Sequence, residues 1–129
     1  MKNMKHPNRR DPAIRVVLLP KDTNRHGTIF GGVILNHLDM AGAVEAQRAG
    51  HVRYVTVCMR EVVFKAPVYV GDVVSYYTRT TKIGRSSVTI AVDVEAERSD
   101  GQKVSVTSAE LVFVAVDEAG SPVAIPRRK

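Results

Sequence analysis

The chain has 129 residues, of which 44% are hydrophobic and 25% are charged, with a formal net charge of +6 and no tryptophan. This length suits a single domain, and the low aromatic content predicts a core of Val, Ile, Leu and Ala. The single cysteine excludes an intrachain disulfide, and the sequence has neither an apolar signal segment nor a run of about 20 apolar residues. We therefore expect a cytoplasmic protein that does not bind membranes.

Much of the positive charge lies near the two ends of the chain. We interpret residues 1–12 as a flexible basic arm, 13–118 as the domain and 119–129 as a basic tail. Such tails are usually solvated, but they could also hold an acidic ligand, and the sequence leaves both interpretations open. Nucleic-acid binding is not expected, because the aromatic residues are not interleaved with basic ones. The terminal basic residues are Lys2, Lys5, Arg9, Arg10, Arg127, Arg128 and Lys129.

The elements are predicted in the order β-α-β-β-β-β. A β-branched run at 14–19 predicts a first strand, which Pro20 ends by opening a polar loop. Apolar residues at helical spacing from about 32 to 49 predict one long helix, with Gly50 after its last turn. Runs rich in Val, Thr and Tyr predict four more strands, at 52–64, 72–81, 86–97 and 103–116.

Short turns between these last strands predict an antiparallel sheet, because a parallel pair would need a crossover of a dozen or more residues. One helix cannot cover both faces of a five-stranded sheet. The simplest α+β architecture therefore wraps the sheet around the helix. An exposed edge strand of such a sheet pairs readily with a second copy, which predicts at least a dimer.

Asp39 is the residue of the predicted helix that most needs an explanation. Aspartate is a poor helix former, and the pattern places it one turn from Leu35 and Gly42, on a stripe expected to face the core. It could act as a general base or nucleophile toward a carbonyl, or it could be a structural carboxylate bonded to a neighbouring group. The pattern alone leaves both interpretations open.

Hydrogen-bond donors precede that carboxylate in the sequence. Gly31 and Gly32 precede the helix, at the end where N–H groups lack intrahelical acceptors and can hold an oxyanion. Asn24, in the preceding loop, could position a water or a carbonyl, and His26 could transfer a proton. Each of these residues is also ordinary in a turn, so only their position ahead of Asp39 favours a site.

Other reactive groups are less well supported. Cys58 has no evident activating partner and is expected to be a buried structural thiol, and there is no Gly-x-Ser-x-Gly motif. No residue spacing resembles a zinc or iron site, so no metal is expected. The turn from Gly84 to Ser87, with Lys82 before it, offers N–H groups, hydroxyls and a guanidinium to a phosphate, but this signal is weak on its own.

Taken in order, these segments resemble the hotdog-fold acyl-CoA thioesterases, in particular the YciA-like group of cytosolic acyl-CoA hydrolases. The likeness runs from Leu19 to about Val116 and rests on five motifs in the family's order and spacing. They are Leu-Pro-x-Asp-Thr-Asn, His-Gly-x-x-Phe-Gly-Gly, Leu-Asp-Met-Ala-Gly-Ala, Phe-x-x-Pro-Val-x-Val-Gly-Asp and Gly-Arg-Ser-Ser.

The resemblance implies a hotdog fold in which two subunits share one continuous sheet, with active sites at their interface and further assembly into a trimer of dimers. It implies Asp39 as the catalytic carboxylate, Asn24 from the facing subunit as the group that positions water or substrate, and Gly31 and Gly32 as the donors to the carbonyl. Hydrolysis of acyl-CoA needs no cofactor. The residues implied to line the coenzyme A channel are Phe30, Thr56, Val57, Phe64, Pro67, Val68, Lys82, Gly84, Arg85, Ser86 and Ser87.

Two departures from the family pattern leave the substrate preference open: Arg60 stands where an acidic residue is usual, and Val63 where an asparagine is usual. Two other functions compete with hydrolysis. A non-catalytic acyl-CoA-binding or sensing protein would have no need of Asp39 and Asn24. A hotdog dehydratase or hydratase would need a paired histidine and aspartate, whereas His37 and Asp39 point to different sides of a helix.

Overall fold

The computed structural model describes residues 11–126, so most of the predicted basic arm (1–10) and the last residues of the predicted tail (127–129) lie outside the described residues. The described chain forms one α-helix and five strands, with a 3₁₀ turn at Pro20–Asp22. In chain order they are β1 (Ile14–Val17), α1 (Gly31–Ala46), β2 (Arg53–Phe64), β3 (Val73–Ile83), β4 (Ser87–Glu97) and β5 (Lys103–Val116). The predicted element order is confirmed.

The strands form a single antiparallel sheet in the order β1-β3-β4-β5-β2. It curls around α1, which packs mainly on β3 and β4. The predicted architecture, a helix wrapped by a five-stranded antiparallel sheet, is therefore confirmed. Strand β2 lies at one edge of the sheet and shifts register after Thr56 and again after Arg60, while Glu61 has a positive φ of 60°.

The core lies between α1 and the inner face of the sheet. Alternate residues of β4 and β5 point toward the helix and are almost fully buried, among them Ile90, Leu111 and Phe113. A Cβ atom at Gly42 would lie 2.9 Å from the Phe113 ring, so the glycine lets the helix approach the sheet closely. The core is mainly aliphatic, as composition predicts, with Tyr76 and Phe113 its largest fully buried side chains.

The segment after β5 folds back onto the domain. Ile125 is buried, and its N–H donates to the carbonyl of Arg85 at 2.8 Å. A Cβ atom at Gly50 would lie 2.2 Å from the carbonyl oxygen of Pro126, so this backbone passes directly beside the end of the helix. The packed unit thus extends to 126, past the predicted boundary at 118. No helix within residues 11–126 has the length and hydropathy needed to cross a membrane.

Candidate active site

Asp39 lies on the flank of α1 that faces β2, and it is half-buried. The hydroxyl of Thr56 donates to its Oδ1 at 2.7 Å. The prediction that this stripe of the helix faces the core holds for Gly42 and Ala46, which are buried, but Asp39 itself is turned about 100° from fully buried Leu38 and lies at the edge of the buried face. The carboxylate therefore reaches solvent beside the edge strand, where a substrate can approach it.

Thr56 fixes one oxygen of that carboxylate by its hydrogen bond. No hydrogen bond from residues 11–126 reaches the other oxygen, Asp39 Oδ2. Thr56 directly precedes the first register shift of β2, and the next residue, Val57, is 55% exposed. The structure thus places Thr56, predicted from the resemblance, beside Asp39, and Val57 follows it on the same strand.

The helix begins with two free amides. Phe30 is the residue before the first helical position, and its carbonyl accepts from Val33 at 3.0 Å and from Ile34 at 3.3 Å. The N–H groups of Gly31 and Gly32 have no acceptor among the described residues, as is usual for the first helical turn. They point out of the positive end of the helix, which suits a developing oxyanion.

A cavity of about 430 Å³ opens beside these amides. Its walls are mainly apolar, with Lys65 the only charged residue among them. Of the predicted substrate-binding residues, Phe64, Pro67 and Val68 line it, and Phe30 lies next to it, half exposed. The lining residues are Ile29, Gly31, Ile34, Phe64, Lys65, Ala66, Pro67 and Val68.

The wall of the cavity at Pro67 is tied to the turn after β4, which lies beside the start of β3. Arg98, in the turn after β4, donates to the carbonyl of Pro67 at 3.0 Å and to the carboxylate of buried Asp72. Its guanidinium also lies over the Tyr69 ring, 4.7 Å from the ring centre. Asp72 in turn accepts from the N–H of Tyr69 at 2.9 Å. This network holds the loop between β2 and β3 in place.

Within one copy of the chain, the glycine amides and Asp39 cannot act on the same carbonyl. Gly31 and Asp39 are eight residues apart on one helix, or about 12 Å along its axis. A carbonyl held by donors at about 3 Å and attacked from about 3–3.5 Å needs the two groups much closer together. The structure therefore does not bring these predicted residues into one site in a single protomer.

The loop before the helix is held by its own side chains. Asn24 Nδ2 donates to Thr28 Oγ1 at 2.8 Å, and Asn24 Oδ1 accepts from the N–H groups of His26 at 2.8 Å and Thr28 at 3.2 Å. Asp22 accepts from the N–H of Leu19 at 3.0 Å, and this hydrogen bond is the main reason why the pKa of Asp22 is lowered. The Asn24 carboxamide thus shapes the loop and does not contact Asp39.

The predicted phosphate-binding turn lies at the other end of the helix. Gly84 donates its N–H to the Ser87 carbonyl at 2.8 Å, and the Arg85 carbonyl accepts from the segment that passes beside the helix end. Lys82 and Arg85 are exposed. In one protomer, the group formed by Lys82, Gly84, Arg85, Ser86 and Ser87 therefore stands apart from the cavity at the helix start.

The two departures in β2 are both exposed. Arg60 Nε donates to Glu110 Oε1 at 2.6 Å, across to its paired residue on β5. The same hydrogen bond raises the pKa of Arg60. Val63 is 60% exposed. Cys58, predicted to be buried, is half-buried, with Arg60 Nη1 3.7 Å from its sulfur.

The sequence analysis missed Glu45, a buried carboxylate on α1 that is 7% exposed. Thr78 and Thr80 of β3 donate hydroxyl hydrogen bonds to its two oxygens, each at 2.9 Å. A signal was present in the sequence, because Glu45 follows Leu38 by seven residues and Ala41 by four and so shares their face of the helix. Within residues 11–126, no group of three His, Cys, Asp or Glu side chains could hold a metal ion.

One long helix held in a curled five-stranded antiparallel sheet defines the hotdog class of proteins. Within that class, the sequence model of the Thioesterase superfamily matches residues 26–103, and the chain belongs to this superfamily.

Individual relatives agree with this assignment. The chain is 43% identical to an uncharacterized acyl-CoA thioester hydrolase of Haemophilus influenzae, over 88% of this chain and 77% of the relative. It is 40% identical to the acyl-CoA thioester hydrolase YciA of Escherichia coli, over 90% and 91% of the two chains. A hexameric hotdog fold thioesterase of Campylobacter jejuni has a similar structure, with a TM-score of 0.85, 40% identity and 90% of each chain covered.

Proposed function

We propose that this chain is an acyl-CoA thioesterase, which hydrolyses acyl-CoA to a free carboxylic acid and coenzyme A. The observation that carries the proposal is the Asp39 carboxylate, held by Thr56 on one oxygen and open on the other, in a member of the thioesterase superfamily. The relatives named as acyl-CoA thioester hydrolases support the same substrate class. A binding or sensing protein would not need a carboxylate positioned in this way.

In the proposed reaction, Asp39 acts as general base or as nucleophile. As a base it takes a proton from a water whose oxygen attacks the thioester carbonyl carbon; as a nucleophile it attacks that carbon itself and water later hydrolyses the anhydride. In either route the carbon–sulfur bond breaks and the coenzyme A thiolate leaves and is protonated. The free amides of Gly31 and Gly32 would stabilise the oxyanion, each donor contributing roughly 2.7–4 kcal/mol.

We further propose that each site combines two copies of the chain, because about 12 Å of helix separates Gly31 from Asp39. Edge strand β2 and the adjoining face of α1 supply a surface for the second copy. Its exposed apolar side chains are Met40, Val44, Val55, Val57 and Val63, between 43% and 60% exposed. The hexameric thioesterase of similar structure supports assembly of such dimers into a trimer of dimers.

The remaining predicted residues receive roles on the same basis. The cavity at Phe64, Pro67 and Val68 would hold the acyl chain or the pantetheine arm, since its lining is mainly apolar. Lys82 and Arg85 would reach coenzyme A phosphates from another copy, because they lie at the far end of the helix in their own. Asn24 would position substrate or water through the loop that it shapes. The cytoplasmic location stays a prediction from the sequence.

Release of free thiol tests the proposed function. Purified protein is incubated with a series of acyl-CoA chain lengths and a thiol reagent, beside Asp39→Asn, which keeps the side-chain shape and removes the charge. We expect turnover by the parent protein and a loss of at least about 100-fold in the variant. Bound acyl-CoA without thiol release by the parent would favour the non-catalytic binding protein. Equal turnover by parent and variant would exclude Asp39 as the catalytic group.

A further inference from the structure

Glu45 is a buried carboxylate that no step of the proposed reaction uses. It lies on the face of α1 that packs against the sheet, where neighbouring positions are apolar. Both of its oxygens accept hydrogen bonds from β3, Oε1 from Thr78 and Oε2 from Thr80, each at 2.9 Å. Arg48, one turn later, lies 3.5 Å from Oε1. Since burying a carboxylate is costly, its presence here needs a reason.

The two carboxylates of the helix contact strands that lie toward opposite edges of the sheet. Asp39 is bonded to Thr56 on β2, whereas Glu45 is bonded to β3, and β4 and β5 lie between those strands. Six residues separate Asp39 from Glu45, so their side chains differ by about 120° around the helix and by about 9 Å along it. The helix is thus held by polar contacts on both of its flanks.

Apolar packing also restrains the rotation of this helix. Leu38 is fully buried, and Gly42 fits closely against the Phe113 ring. The apolar contribution is non-directional, however. A buried carboxylate differs, because a modest rotation breaks its hydrogen bonds and leaves a charge unpaired.

We propose that Glu45 is a positioning residue, which fixes the rotation of α1 and thereby places the Asp39 carboxylate against Thr56 and the substrate. This inference rests on the proposed function of Asp39. Helical side chains end about 5–6 Å from the helix axis, so a rotation of about 10° moves the Asp39 carboxylate by about 1 Å. A displacement of that size can lower turnover by about 100-fold.

Two variants separate positioning from stability. Glu45→Met keeps the length of the side chain and removes both hydrogen bonds, and replacing a buried charged group by an apolar one often preserves or raises stability. We expect its melting temperature to stay at or above that of the parent. Its kcat should fall by at least about 10-fold, with KM within about threefold. Glu45→Gln can accept from one threonine and donate to the other, so its kcat should return to within about threefold of the parent.

Controls keep the test decisive. Val94→Ala creates a cavity in β4 without touching a helix hydrogen bond, so it should lower the melting temperature and leave kcat unchanged. Should Glu45→Met fail to fold, the double variant Thr78→Val, Thr80→Val removes the same hydrogen bonds from the other side and should show the same loss of kcat. Parental kcat in a folded variant without these bonds, or no recovery in Glu45→Gln, would overturn the inference.

Asp39→Asn, measured in the same assay, distinguishes failure of this inference from failure of the proposed function. If Asp39→Asn abolishes thiol release while Glu45→Met retains it, only the role of Glu45 is wrong. If Asp39→Asn retains thiol release, the proposed role of Asp39 itself is wrong.

Discussion

The hydrogen bond from Thr56 to Asp39 permits a quantitative prediction. Thr56→Val replaces the hydroxyl by a methyl group and keeps the branched shape that strands favour. A hydrogen bond to a charged group is worth about 1.5–3 kcal/mol, and each 1.36 kcal/mol corresponds to a factor of ten in rate. Thr56 is exposed, so water can replace part of the lost interaction. We therefore expect kcat to fall by about 10-fold, at the lower end of that range.

The assay is thiol release at saturating acyl-CoA, with melting temperatures measured in parallel. Thr56→Ser keeps the hydroxyl and should retain most of the activity. Thr81→Val makes the same chemical change on β3, where the hydroxyl bonds only the Thr89 carbonyl at 3.3 Å, and should leave kcat unchanged. If kcat of folded Thr56→Val lies within about twofold of the parent value, then the hydrogen bond does not prepare Asp39 for the reaction.

Three further predictions concern stability. Gly42→Ala places a Cβ atom 2.9 Å from the Phe113 ring, and urea unfolding should show a loss of about 1 kcal/mol or more; an unchanged midpoint would contradict the close packing. Glu61→Gly relieves a left-handed backbone at φ 60°, so the free energy of unfolding should rise by up to about 1 kcal/mol, and a fall would contradict the bulge geometry. Because the pKa of Asp22 is lowered in the folded state, its ionised carboxylate stabilises the fold above pH 3.8, its ordinary pKa. That stabilisation is lost as the pH falls through the folded-state pKa. Asp22→Asn should therefore have a lower urea midpoint than the parent at pH 6, and the gap should narrow as the pH falls below 3.8; a gap independent of pH would refute the assignment.

Much of the fold follows from local patterns in the sequence. Alternation of apolar residues and glycine-containing turns define β3, β4 and β5 closely, and helical spacing finds α1. The end of the helix was predicted three residues too late, at 49. The N–H groups of Arg48 and Ala49 bond to carbonyls three residues back, so the chain tightens into turns there, and the side-chain amide of Gln47 donates to the Val52 carbonyl at 2.9 Å. That contact depends on how the chain turns back toward β2, which periodicity does not encode.

The candidate site was less predictable than the fold. Asp39 could be found because a carboxylate inside an apolar helix is unusual, but its partner Thr56 came only from the family resemblance. Glu45 was not predicted as a buried, hydrogen-bonded carboxylate because its partners, Thr78 and Thr80, are 33 and 35 residues away in sequence. Pairings of that kind depend on strand order. The distance between Gly31 and Asp39, which argues for a site shared by two copies, can be judged only when both residues are placed on one helix.

The central claim is that a working site takes Asp39 from one copy of the chain and the helix-start amides from another. Gly31→Pro provides a matched variant for testing it. Proline is favoured at the first helical position, and Phe30 before it, with φ −56° and ψ 135°, already has the conformation that precedes a proline. The substitution removes one N–H donor, so it should lower kcat by about 100-fold or more while the fold is kept.

Complementation between Asp39→Asn and Gly31→Pro chains tests this claim most directly. Each variant alone should release thiol at a small fraction of the parental rate. When the two chains are co-expressed in equal amounts, random pairing gives about one site in four with both groups intact, so about a quarter of the parental activity should return. If the site lies within a single chain, every site carries one lesion, and the mixture will be as inactive as either variant alone.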